Sequence, residues 1–216
     1  MYNSTRRRLM MANKKTLPQG CIFYAPLSQY DLTDSVSGAN LISTGKFSMQ
    51  WDAVENMWFI EAINDVAGSC GFYWDVDFTN DFNFTMSDEY TIIASVKVPN
   101  TQSGRPYIAG LGNFDSSSSY KPCISSSFGT NGKVAFIKKN ISPTQNLLTF
   151  YYSGATETQG TNHLSNTANW NNTNLCAKRV CIGVVRETGY YNVNKLYIKD
   201  VYVFNRALTT NEIAAL

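Results

Sequence analysis

An all-β fold, two antiparallel sheets packed as a jelly-roll sandwich, is what this sequence predicts. Three observations lead there. Charged residues make up only 16% of the 216 residues, while Asn, Ser, Thr and Gly are abundant, a composition of turns and strands rather than helices. Short apolar runs alternate with period two, which places successive side chains on opposite faces of a strand. Turn signals separate these runs at short intervals, the pattern of a sandwich. At 44% hydrophobic and 13% aromatic the chain is globular. A chain of this length buries roughly 70% of its unfolded surface and needs no covalent staple.

The sandwich is expected over residues 17–216, preceded by an extended arm, 1–16. Gly20-Cys21-Ile22-Phe23-Tyr24-Ala25 predicts the first strand, ended at Pro26-Leu27, and Asp31 to Gly38 is a polar turn. Trp51 to Trp74 holds three of the four tryptophans. Within it Phe72, Trp74, Val76 and Phe78 alternate with Tyr73, Asp75 and Asp77, a strand pattern. Thr91–Val98 is the clearest interior strand: Ile92, Ala94, Val96 and Val98 share one face, Thr91, Ile93, Ser95 and Lys97 the other, and Pro99 ends it. Further strands are expected at Tyr107–Leu111, Lys133–Lys138, Leu147–Tyr152 and Arg179–Arg186. Asn131-Gly132 reads as a hairpin turn, and Thr188-Gly189 as a weaker one joining Val180–Val185 to the closing strand. Ser116–Ser119 and Asn162–Asn174 read as loops. The closing strand runs from Leu196 to Phe204, followed by the turn Asn205-Arg206-Ala207-Leu208 and one helical turn. Thr209 and Glu212 have the spacing of a capping box, with Ile213 and Leu216 facing inward.

That closing block, Lys195-Leu-Tyr-Ile-Lys-Asp-Val-Tyr-Val-Phe-Asn-Arg-Ala-Leu-Thr-Thr-Asn-Glu-Ile213, resembles the last strand of laminin-G-like domains in the concanavalin A-like lectin/glucanase superfamily. Their usual wording is close to hydrophobic-Asp-Asp/Glu-Val-Arg-Ile-Tyr-Asn-Arg-Ala-Leu-Ser-x-x-Glu-Ile. The aromatic opening strand, its terminal leucine and the Asp34-Ser35-Val36-Ser37-Gly38 turn are similar to the opening of such domains. The resemblance implies their fold, and a structural role for Arg206 at the strand-to-helix corner. This chain departs from the pattern at Lys199, where the family commonly has Asp, and at Val96, where it often has Trp.

Catalytic chemistry finds little footing. Glycoside hydrolysis needs two carboxylates about 5–10 Å apart, which the superfamily's glucanases carry as Glu-x-Asp-x-x-Glu. No such motif occurs, and the nearest acid pairs are Glu55 with Glu61 and Asp75 with Asp77. The lone histidine, His163, lies in a polar loop with no nucleophile motif near any serine. The chain is therefore expected not to be an enzyme. Five cysteines, Cys21, Cys70, Cys123, Cys176 and Cys181, form an odd and irregular set, read as small buried thiols rather than a disulfide framework or zinc site. No cofactor is expected. A Ca²⁺ ion held by carboxylates among Asp31, Asp34, Asp75, Asp77, Asp81 and Asp115 stays open beside the reading of these as solvated turn residues.

Binding is the better-supported class. Trp170, Asn171 and Asn172 offer a ring with flanking amides, and Tyr190 with Tyr191 a second aromatic patch; both are candidate glycan contacts. Trp170 folded back onto the sandwich is the competing reading. The net charge of +2 points to no nucleic-acid partner. No stretch has the length of a membrane span. Arg6-Arg7-Arg8 is followed by too short an apolar run for a secretory signal, which needs roughly 7–15 residues, so the Asn-x-Ser/Thr sites at Asn3, Asn83, Asn140 and Asn171 are read as chance.

The arm sets Leu9, Met10 and Met11 between two basic clusters, Arg6-Arg7-Arg8 and Lys14-Lys15. It is either a loose terminus or a docking peptide in which arginines meet carboxylates and methionines fit an uneven surface. The opening Tyr2-x-x-x-Arg-Arg-Arg-Leu-Met-Met-Ala12 is similar to the N-termini of some tailed-phage structural proteins of gut bacteria. That resemblance implies a non-enzymatic virion protein, a head-fibre, decoration or tail-associated component. The arm would dock onto other virion or capsid proteins and the sandwich face outward, as a homo-oligomer such as a trimer. The alternative is a free carbohydrate-binding, lectin-like module at a cell surface or outside the cell by a non-signal route, with cell-surface or mucosal glycans as partners.

Overall fold

A computed structural model describes residues 17–63, 69–85, 88–99, 107–112, 123–125, 130–142, 145–152, 155–158, 178–185 and 195–216. The strands are β1 (Cys21–Ala25), β2 (Ile42–Ser43), β3 (Phe47–Asp52), β4 (Met57–Ala62), β5 (Ser69–Asp75), β6 (Tyr90–Lys97), β7 (Tyr107–Leu111), β8 (Cys123–Ser125), β9 (Asn131–Ser142), β10 (Gln145–Tyr152), β11 (Ala155–Thr158), β12 (Arg179–Val185) and β13 (Lys195–Phe204). Two short helices, α1 (Phe78–Phe82) and α2 (Thr210–Ala215), and a 3-10 turn (Leu27–Gln29) complete the described elements. One sheet has the order β11-β10-β9-β6-β13-β4-β3, with β1 also on β13; the second runs β2-β5-β12-β7-β8. The pairings are antiparallel, so the molecule is the expected two-sheet sandwich with a C-terminal helical turn.

The period-two faces explain the core. Ile92, Ala94 and Val96 of β6, with Val98 just after it, meet Phe72, Trp74, Val180 and Ile182 of the opposite sheet in one buried cluster. Phe47 lies so close to Gly71 that a Cβ there would come within 2.7 Å of its ring. The strand pattern read at Phe72 and Trp74 holds, but β5 stops at Asp75, and Asp77 caps α1 by accepting from the Asn80 amide.

The other face of the eight-stranded sheet is divided. Near the C-terminal end of β13, Ile93, Ala135, Ile137, Tyr151, Tyr202 and Phe204 form a second buried cluster with Ile213 of α2. The capping box at Thr209 and Glu212 is formed as expected, and it starts the helix that covers this cluster. Thr91, an outward position, is buried there: its hydroxyl donates to the Arg206 carbonyl and accepts from the Leu208 amide.

Two turn expectations are corrected. Asn131 and Gly132 open β9, paired with Lys97 and Val96, because the preceding strand β8 lies in the other sheet. A two-residue turn needs neighbouring strands of one sheet on both sides. For the same reason β12 and β13 are not a hairpin: β12 lies between β5 and β7 in the five-stranded sheet, while β13 lies in the eight-stranded one.

Candidate functional site

One irregularity in β13 organises the candidate site. Ile198 and Val201 are both buried in the core, although they are three residues apart; their partners on β6, Val96 and Ala94, are two apart. β13 therefore carries one extra residue, a bulge, at Lys199-Asp200. At the same place its other neighbour changes: β4 pairs with residues 195–198 and β1 with residues 201–204. The 3-10 turn after β1 sits at this junction. The Asp200 carboxylate accepts from the Ser28 amide (3.2 Å) and hydroxyl (2.7 Å), and the Leu27 carbonyl accepts from the Trp58 indole (3.1 Å).

The turn ends at Tyr30, whose amide donates to the Leu27 carbonyl. Tyr30 has φ 60°, left-handed backbone that bulky residues rarely adopt. Its ring is 5.0 Å from that of Trp58 and 5.2 Å from that of Trp51, and the two tryptophans, opposite each other on β4 and β3, are 5.5 Å apart. The three rings grade outward: Trp58 is 7% exposed, Trp51 half-buried and Tyr30 63% exposed. The β3–β4 hairpin beside them has Val54 93% exposed at its tip. Asp52 shapes that tip by accepting from the amides of Val54 and Glu55, and Asn56 is a second left-handed residue. An exposed ring on an aromatic base, with Asp31 next to it in sequence, can stack on the C–H face of a sugar while polar neighbours bond its hydroxyls.

Six of the acids considered for catalysis or calcium have structural partners. Glu55 pairs with Lys97, Glu61 with Lys195 at 3.1 Å and Asp75 with Arg179 at 2.8 Å, while Asp77 caps α1. Asp31 accepts from the Thr33 amide. Asp34 is buried and accepts from the amides of Tyr24, Val36 and Ser37, which pins the turn after β1. Among the described residues there is no group of three or more His, Cys, Asp or Glu able to hold a metal. Among the same residues no helix is long and apolar enough to cross a membrane. Arg206 takes the expected structural part, donating to the Gln19 carbonyl and pairing with Glu212 at 2.7 Å. Hydrogen bonds from Arg206 and the Thr209 backbone hold the Glu212 carboxyl down at about 2.

Burial sets four further shifts. The Cys21 thiol is pushed up to about 12, the hydroxyls of Tyr24 and Tyr202 are also raised, and the Lys138 ammonium is lowered to about 8. Cys21 and Cys181 are free thiols, each donating to a backbone carbonyl.

The candidate binding residues read from sequence lie outside the described residues: Arg6, Arg7, Arg8, Leu9, Met10 and Met11 of the arm, and Trp170, Asn171, Asn172, Tyr190 and Tyr191. So do His163 and Asp115. The sequence reading passed over Tyr30, Trp51 and Trp58. A signal was present: Phe47, Met49 and Trp51 alternate, as do Trp58, Ile60 and Ala62, around the polar tip 52–56.

No protein-family model matches the chain, and no curated protein matches it. Solved structures do. The binding domain of botulinum neurotoxin serotype G is 13% identical with a TM-score of 0.53, over 90% of this chain and 50% of that one. The receptor binding domain of botulinum neurotoxin D is 11% identical with a TM-score of 0.54, over 91% and 52%. A third match is to botulinum neurotoxin type C, whose cell entry depends on interaction with two ganglioside molecules; it is 14% identical with a TM-score of 0.53, over 91% and 50%. The chain spans about half the length of these binding domains. At such identity the likeness is one of fold, a two-sheet antiparallel sandwich.

Proposed function

We propose that the sandwich, residues 17–216, is a non-enzymatic, laminin-G-like carbohydrate-binding module that uses Tyr30, on its base of Trp51 and Trp58, as the sugar platform. The observation that carries this is the exposure of the Tyr30 ring, which meets Trp51 edge-on and Trp58 at a tilt and is held in left-handed backbone. Strained backbone around an exposed aromatic is the kind of local cost that persists at binding sites. The fold likeness to a toxin that engages gangliosides supports the same class. The test is a glycan array carrying sialylated, galactose-terminated and mucin-type chains, probed with the labelled full chain. Binding to at least one class is expected, and Tyr30→Gly, which also relieves the left-handed backbone, removes it while the melting temperature stays put. An array silent throughout, or equal binding by the variant, overturns the reading.

The setting we propose is the surface of a phage particle, with arm 1–16 as the anchor to a capsid or tail protein. The basic-apolar-basic order of Arg6-Arg7-Arg8, Leu9-Met10-Met11 and Lys14-Lys15 supports it. Deleting residues 1–16 is expected to abolish co-sedimentation with particles and leave glycan binding intact; co-sedimentation that survives the deletion overturns it.

A further inference from the structure

The part of the eight-stranded sheet's outer face not covered by α2 has an ordered pattern of its own. Phe59 of β4 and Tyr197 of β13 stand side by side, ring centroids 4.9 Å apart, both half-buried. The charges around them sort by strand. Glu61 lies on β4 and Glu55 in the turn before it, whereas Lys195 lies on β13 and Lys97 on β6. Lys195 pairs with Glu61, and Lys97 reaches Glu55 with its ammonium 5.6 Å from the centre of the Tyr197 ring. The acidic column is thus the β4 side of the aromatic pair, and the basic column its β13 and β6 side.

We propose that this face is the contact between two copies of the chain. A twofold axis parallel to the strands, running between β4 and β13, sets Glu61 over the partner's Lys195 and Phe59 over the partner's Tyr197, each contact made twice. A twofold axis lying across the strands would instead oppose acid to acid and lysine to lysine, so the columns select one orientation. The aromatic centre supplies apolar burial and the columns supply register. Four strands at about 4.8 Å spacing and six residues at about 3.3 Å give a face of about 400 Å². That is half of the roughly 800 Å² per partner of a standard interface. The dimer is therefore reversible and concentration-dependent, and it forms without glycan.

Sedimentation equilibrium of the full chain over a wide concentration range tests this. The mass is expected to rise from monomer to dimer. Lys195→Glu and Glu61→Lys each oppose like charges across the axis and weaken self-association by about tenfold or more. Each variant also sets two like charges side by side within one chain, so a native circular dichroism spectrum, with at most a small drop in melting temperature, is the control for each. Mixed in equal amounts, the two variants restore a dimer, because each then meets the opposite column. A monomer or trimer mass for the natural chain, self-association unchanged in both variants, or a mixture that stays monomeric overturns the proposal.

Discussion

Two aromatic clusters flank the bulge at Lys199-Asp200, and they meet opposite fates. On one side Tyr24 and Tyr202 stack with rings 4.4 Å apart, and Phe204 extends the stack; all are buried beside α2. On the other side Tyr30 stands on Trp51 and Trp58 with most of its ring in solvent. The covered cluster contributes to stability by removing apolar area from water. The open one leaves that contribution unrealised at its outermost ring. That exposed ring is the feature on which the proposed sugar platform rests.

Cutting the covered cluster should have the largest effect. Tyr202→Ala removes a buried ring and leaves a cavity under α2, an expected loss of about 3–5 kcal/mol. The denaturant midpoint reads it, and glycan binding by whatever remains folded should be unchanged. Next comes the residue that joins the two clusters. Asp200→Ala strands the Ser28 amide and hydroxyl, an expected loss of about 1–3 kcal/mol, and frees the turn that presents Tyr30. Stability and glycan affinity should therefore fall together. A stability loss with unchanged affinity would show that the turn holds Tyr30 without the bulge.

The two clusters also differ in how much of them the sequence discloses. The covered one was legible: the Thr209–Glu212 capping box and the inward Ile213 are local signals, and the 3.6-residue period places them on one face. The open one was not. Tyr30 and Trp58 are brought together by a hydrogen bond between residues 31 apart in the chain, and by a bulge visible only in the pairing register. Alternation in β6 read correctly which face meets the other sheet, but nothing in Thr91 or Ile93 announced that the second face would be covered too. The Asn131-Gly132 signal failed because turn chemistry is local, while sheet membership is decided by long-range pairing.

The covered cluster leaves a mark on pH dependence. The Cys21 thiol, ordinarily at 9.0, lies at about 12 through burial, so above pH 9 the unfolded chain loses a proton that the folded chain keeps. The stability it contributes is present below pH 9 and is lost as pH rises toward 12. Tyr24 and Tyr202, raised by burial, act in the same direction above 10. Lys138 acts oppositely: burial lowers it from 10.5 to about 8, so between these values the unfolded chain binds the extra proton and stability rises with pH. The urea midpoint is expected to climb from pH 8 to 9, level off, and fall beyond 10. Lys138→Met should flatten the climb and Cys21→Ala should soften the fall; a profile identical in all three proteins would contradict both assignments.

The smallest stability effect is expected at the open cluster, and its sign is the informative part. Tyr30 holds left-handed backbone at φ 60°, which costs a residue with a Cβ about 1–2 kcal/mol and a glycine almost nothing. Tyr30→Ala keeps that cost and loses the ring contacts; Tyr30→Gly loses the same contacts and removes the cost. The glycine variant should therefore be the more stable of the two by about 1 kcal/mol, close to the natural protein, and as deficient in glycan binding as the alanine variant. A tyrosine kept where glycine would serve the fold as well is there for its ring. If both variants instead lose as much stability as Tyr202→Ala, the Tyr30 ring belongs to the core and the contrast between the clusters disappears.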